Sequence, residues 1–149
     1  VGVTNVPGLT EQTFEAGSTI ARRNLGVQPT PGPIKAPYDY SQPQYAAFIR
    51  HAEEEFGNQY IQALKNAGYS ADGNGVFSSA SGVARFYMNA SDFGVCNQCL
   101  LNLKNPTANG AQGVIQQLSQ LVPNVKFVFE TAGVPGKTIT VLNGRLVSQ

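Results

Sequence analysis

Two runs of alternating, β-branched sequence stand six residues apart near the end of this 149-residue chain. Val125–Thr131 (Val-Lys-Phe-Val-Phe-Glu-Thr) and Thr138–Leu142 (Thr-Ile-Thr-Val-Leu) alternate with the period of half-buried strands. The link Ala132–Lys137, with Gly-Val-Pro-Gly inside, is too short for a parallel crossover, which needs a dozen or more residues. The two runs must therefore pair antiparallel, and the rest of the chain must pack on the sheet they begin.

Upstream, proline sets the other limit. Six of the nine prolines fall within the first 43 residues, and Gln28–Pro37 alone holds four, so that stretch is extended and irregular. Before it, Thr10–Leu25 has the signals of a short helix, with Thr10 as cap and Thr13–Ile20 as body. From Pro43 the pattern strengthens. Tyr45, Phe48, Ile49, Ala52, Phe56, Tyr60, Ala63, Leu64 and Ala67 recur at helical spacing, and Gly68 stops the run as a C-cap. Ser70–Gly75 is a turn, Gly82–Asn89 a strand and Ala90–Gly94 a polar loop. Cys96–Leu103 opens a short helix that stops before Pro106. Gly113–Leu121 is another, with Val114, Leu118 and Leu121 inward and Pro123 beyond its end. The layout is one α/β (α+β) domain over 1–149, with a Pro-rich portion 1–43 and a core 44–149 of helices packed on a sheet.

Composition excludes several classes. Hydrophobic residues are 42% and charged residues 13%, which is not the profile of a disordered chain. The net charge of +1 gives no strong uniform field for nucleic acid; Arg22, Arg23, Lys35 and Arg50 are the basic candidates of the N-terminal third, and most of them read as solvated. No apolar run approaches the length of a membrane span, and the opening residues, without a basic segment before an apolar run, do not read as a signal peptide. A first residue Val1 reads as the start of a processed product or of a domain cut from a longer protein.

The chain has one His and two Cys. Cys96-Asn97-Gln98-Cys99 stands at an expected helix start, where both sulfurs can reach one metal ion and the helix end favours thiolates. Alone, this motif fits a redox pair, half of a zinc site or a local motif without chemistry. His51-Ala52-Glu53 lies 45 residues earlier, with a strand expected between the two motifs. Zinc held by one imidazole and two thiolates keeps its fourth position for water, and a carboxylate beside it that is not a ligand can shuttle protons. Residues two apart on a continuous helix point about 200° away from each other. His51 and Glu53 can meet one site only in a helix's first turn, so the long helix is expected to start close to His51, with Gln44–Arg50 extended or a separate turn. In the Glu53-Glu54-Glu55 run, the His-x-Glu spacing singles out Glu53, whereas Glu54 and Glu55 read as a solvated face.

His51-x-Glu53 on a helix, a strand, then Cys96-x-x-Cys99 on a second helix resembles the zinc-dependent cytidine deaminase superfamily. Within it, the chain is most similar to the deaminase domains of bacterial polymorphic toxins, above all those acting on cytosine in single-stranded DNA. The resemblance covers about residues 45–142 and departs at Val95, where the family commonly has proline. It implies a three-layer fold, with a mixed sheet of about five strands, helices on both faces and the last two strands antiparallel. It implies Zn2+ on His51, Cys96 and Cys99, Glu53 as catalytic acid and base, and hydrolysis of cytosine to uracil. Substrate contacts fall to Asn89, Ser91 and Phe93 in the loop before Cys96, and to Tyr45, which with Tyr38 and Tyr40 offers stacking surfaces. A monomeric effector domain, acting in the target-cell cytoplasm and matched by an immunity protein, completes the implication.

Two other classes use some of the same residues. A thiol–disulfide oxidoreductase would use Cys96 and Cys99 but leaves His51 without a role. An interaction module with a structural zinc would need a carboxylate as fourth ligand. Among deaminases, RNA, duplex DNA and free nucleosides suit the same residues as single-stranded DNA does.

Overall fold

The antiparallel pair expected near the end of the chain is present in a computed structural model, which describes residues 2–14, 30–34, 52–88, 114–131 and 138–148. In chain order the elements are β1 (Gly2–Thr4), α1 (Ala52–Asn66), β2 (Ser81–Met88), α2 (Val114–Leu121), β3 (Asn124–Thr131), β4 (Thr138–Leu142) and β5 (Arg145–Ser148). The strands form one mixed sheet in the order β1-β2-β3-β4-β5. β2 and β3 run parallel and every other neighbouring pair is antiparallel. The architecture is α+β.

Register assembles the core. Phe86 lies opposite Phe129, Ala84 opposite Phe127, and Phe127 in turn opposite Val141, so one face of three adjacent strands is apolar. Both described helices pack on that face and against each other. From α1 come Phe56, Tyr60, Ala63 and Leu64, at the spacing that keeps a helical stripe inward, and from α2 come Val114, Ile115 and Leu118. Leu121 is half-buried at the margin, in line with its expected inward position. The centre is aromatic: Phe86 sits 4.9 Å from Phe56, 5.3 Å from Phe129 and 6.3 Å from Phe127 by ring centroid. On the opposite face Arg85 pairs with Glu130 at 3.0 Å, a half-exposed bridge of small energetic weight.

The ends of α1 are chemically legible. Glu54 and Glu55 stand near its start and Lys65 in its last turn, both favourable to the helix dipole. Gly68, at φ 97°, closes the helix: its amide donates to Lys65 O and that of Tyr69 to Leu64 O, a Schellman cap. The next turn is held by Asp72, whose Oδ1 accepts from Asn74 N at 2.8 Å and Val76 N at 3.0 Å.

Some expectations are corrected. Thr13 and Phe14 are not helical; Phe14 forms an antiparallel bridge with Gly2, which seats its ring 5.4 Å from Tyr60. Burying that aromatic ring in the core outweighs the weak helical signal around it. Thr10–Gln12 are turn and irregular chain as well; residues 15–25 of that expected helix lie outside the described residues, as do Gln44–Arg50, the Ala132–Lys137 link and the helix expected at Cys96–Leu103. Two strands were not read from the sequence, β1 and β5. β5 follows β4 through Asn143-Gly144, both at positive φ (49° and 75°), the two-residue turn that matches strand twist. No helix among the described residues is long and apolar enough to cross a membrane.

Candidate active site

α1 runs antiparallel to β2. Phe56, in the first half of the helix, meets Phe86 near the end of β2. Tyr69, just past the helix, donates its hydroxyl to Pro7 O at 2.7 Å, close to where Asn5 accepts from Val83 near the start of β2. The helix start therefore stands beside the C-terminal end of β2. Position 53, the second residue of α1, is at that end. The chain leaves β2 there as well, and Cys96 follows Met88 after seven intervening residues. β2 and β3, the one parallel pair, both end there, and the carboxyl ends of parallel strands are a common place for a ligand.

Of the candidate residues, Glu53 is described in its backbone, in the first turn of the helix. His51, Cys96, Cys99, Asn89, Ser91, Phe93 and Tyr45 lie outside the described residues. The strand expected between the two motifs is β2.

Glu54 and Glu55 are not a solvated face. Both are buried, at 5% and 4% exposure. The segment Thr30–Ile34, Thr-Pro-Gly-Pro-Ile, crosses the second turn of α1 and covers it. Thr30 donates its amide to the Glu55 carboxylate at 3.0 Å and its hydroxyl at 2.6 Å, and Gln59 Nε2 donates to the same group at 3.1 Å. Asn58 acts as a backbone mimic: its Oδ1 accepts from Ile34 N at 3.0 Å, and its Nδ2 donates to Ile34 O at 3.1 Å. Residues 54–58 are all buried, whereas Gln62, Lys65 and Asn66 on the later turns are exposed. The covering segment comes from more than twenty residues upstream, which local sequence patterning does not register.

A signal for this packing was present in Gly57. Glycine inside a helix costs about 1 kcal/mol relative to alanine, and one in an otherwise strong helical run points to a close backbone approach. That approach is Ile34: a Cβ at position 57 would fall 2.6 Å from Ile34 Cδ1. Compared with family models, curated proteins and solved structures, the chain matches none of them.

Proposed function

We propose that this chain is a zinc-dependent hydrolytic deaminase that converts cytosine to uracil in DNA, preferentially single-stranded, as the toxin domain of an interbacterial effector. The observation that carries the reading is the order of its chemistry along the fold. Glu53 of the His51-x-Glu53 motif falls at the start of α1, β2 follows, and Cys96-x-x-Cys99 comes next in the sequence, while α1 and β2 run so that position 53 and the exit toward Cys96 share one end of the sheet. The five-strand mixed sheet and the antiparallel β3–β4 pair are consistent with a cytidine-deaminase-like fold, in which further helices would cover the second face.

The donor set suits zinc. One imidazole and two thiolates are ligand types that zinc takes, and three protein ligands leave a position for water. His51, Cys96 and Cys99 would hold the ion, which when bound supplies an acidified water. Glu53 takes a proton from the attacking water and returns protons to N3 of the base and to the departing ammonia. Oxygen from water replaces the amine at C4, so atoms balance without an oxidant or a further cofactor. The base must leave its stack to be reached, and a single strand makes that least costly. Asn89, Ser91, Phe93 and Tyr45 are the residues assigned to holding it. An immunity protein covering this end of the sheet would protect the producing cell.

Metal content and one substitution test the reading. Zinc at one ion per chain, with Glu53→Ala keeping the zinc and losing deamination, is the expected result. A metal-free chain with Cys96 and Cys99 joined in a disulfide would favour thiol–disulfide chemistry instead, and full activity in Glu53→Ala would remove the role given to that carboxylate.

A further inference from the structure

Gly57, Asn58 and Glu55 hold the Thr30–Ile34 segment against one turn of α1, and position 53 stands one helical turn ahead of Gly57. The contact is built from both sides. Gly57 leaves room for Ile34, and Gly32 in the strap leaves room for Asn58, whose side chain a Cβ there would strike. Charge-assisted bonds to a buried carboxylate and a paired amide bridge make the seat directional, not merely apolar. The later turns of α1, without the strap, have one face open to solvent.

We propose that the Thr30–Ile34 strap is a positioning element for the catalytic end of α1, with Glu55, Asn58 and Ile34 as positioning residues. By gripping the second turn it sets where the helix start, and with it Glu53, stands relative to the C-terminal end of β2. This rests on the deaminase reading and deepens it. The strap is assigned no contact with substrate or metal; it acts through the helix backbone.

Gly57→Ala tests the seat with a single methyl. The new Cβ meets Ile34 Cδ1 at 2.6 Å, while the Cγ2 and Cγ1 atoms of Ile34 stand at 3.7 and 3.8 Å. Ile34→Val removes only the offending carbon, so the double variant Gly57→Ala/Ile34→Val should reseat the strap. Displacement of a catalytic group by about 1 Å costs up to roughly a hundredfold in rate, so Gly57→Ala is expected to lower kcat about tenfold to a hundredfold. KM and zinc content should hold, and the Ile34 amide should exchange faster with solvent. The double variant should recover kcat to within about threefold of the parent, since 3.7 Å is an ordinary contact. Thr30→Val, which leaves the helix untouched, should lower kcat about threefold to tenfold by removing one hydrogen bond. A Gly57→Ala protein with faster Ile34 exchange or a lower thermal midpoint but parental kcat per folded molecule would overturn the positioning role and leave the deaminase reading standing. Should Gly57→Ala fail to fold, parental kcat in Thr30→Val overturns it equally. A parent chain inactive on every nucleic acid, yet showing the same exchange response to Gly57→Ala, would overturn the deaminase reading and the positioning role with it.

Discussion

Replacing Asn58 by alanine should detach the strap at a cost that can be worked from its bonds. Asn58 is 3% exposed, and its side chain satisfies both the amide and the carbonyl of Ile34, itself fully buried. Asn58→Ala leaves one donor and one acceptor without these partners, and each such buried group costs about 1–3 kcal/mol. Water entering the small space left behind recovers part of this, so the expected loss is about 2–4 kcal/mol. Against a typical domain stability of about 5–15 kcal/mol, that is large but not unfolding. The chain has no tryptophan, so urea unfolding is followed by circular dichroism and tyrosine fluorescence. Hydrogen exchange at Ile34 separates two routes. If the strap opens locally, its amide exchanges fast while the core amides of β3 stay protected; if strap and core are one unit, both accelerate together. A loss below about 0.5 kcal/mol with Ile34 still protected would mean that this amide bridge carries no weight and does not hold the strap.

Two further outcomes follow from single groups. Burial pushes the Tyr60 phenol up from 10.0 to about 12, partly offset by its hydrogen bond with Thr4. Between those values the unfolded chain has released the proton and the folded chain has not, so stability holds below pH 10 and falls by roughly 3 kcal/mol as pH rises to about 12. Tyr60→Phe should remove that alkaline loss, as measured by urea midpoints across the range. Gly144→Ala should cost about 1–2 kcal/mol through its positive φ alone. Its Cβ would also lie 2.6 Å from Gln120 Cγ, so an unchanged denaturation midpoint would contradict the turn.

The elements that periodicity governs were readable from the chain. α1, α2, β2, β3 and β4 follow from stripes of apolar residues at helical or strand spacing, and the six-residue link correctly required β3 and β4 to be antiparallel. The helix was expected to begin near His51, and its described span begins at Ala52, while Gln44–Arg50 lies outside the described residues. What escaped is tertiary in origin. β1 has three residues and no period of its own, and the parallel pairing of β2 with β3 joins residues 43 apart, as at Ser81 and Asn124. β5 has a local signal in Asn143-Gly144, the turn pair that joins it to β4. Glu54 and Glu55 look like solvent-facing charge because nothing nearby in sequence competes for them, yet Thr30 reaches the Glu55 carboxylate from 25 residues away. Of the candidate site, Glu53 is described at the helix start; its expected metal-binding companions lie outside the described residues.

Deamination by this chain is read most directly from the bases it leaves behind. The zinc-loaded chain is incubated with cytosine- and adenine-containing DNA and RNA, single and double stranded, and the products are sequenced. Cytosine-to-uracil conversion in single-stranded DNA, with adenine untouched, is the expected result. Unaltered strands of every kind, from folded protein carrying one zinc per chain, would contradict it.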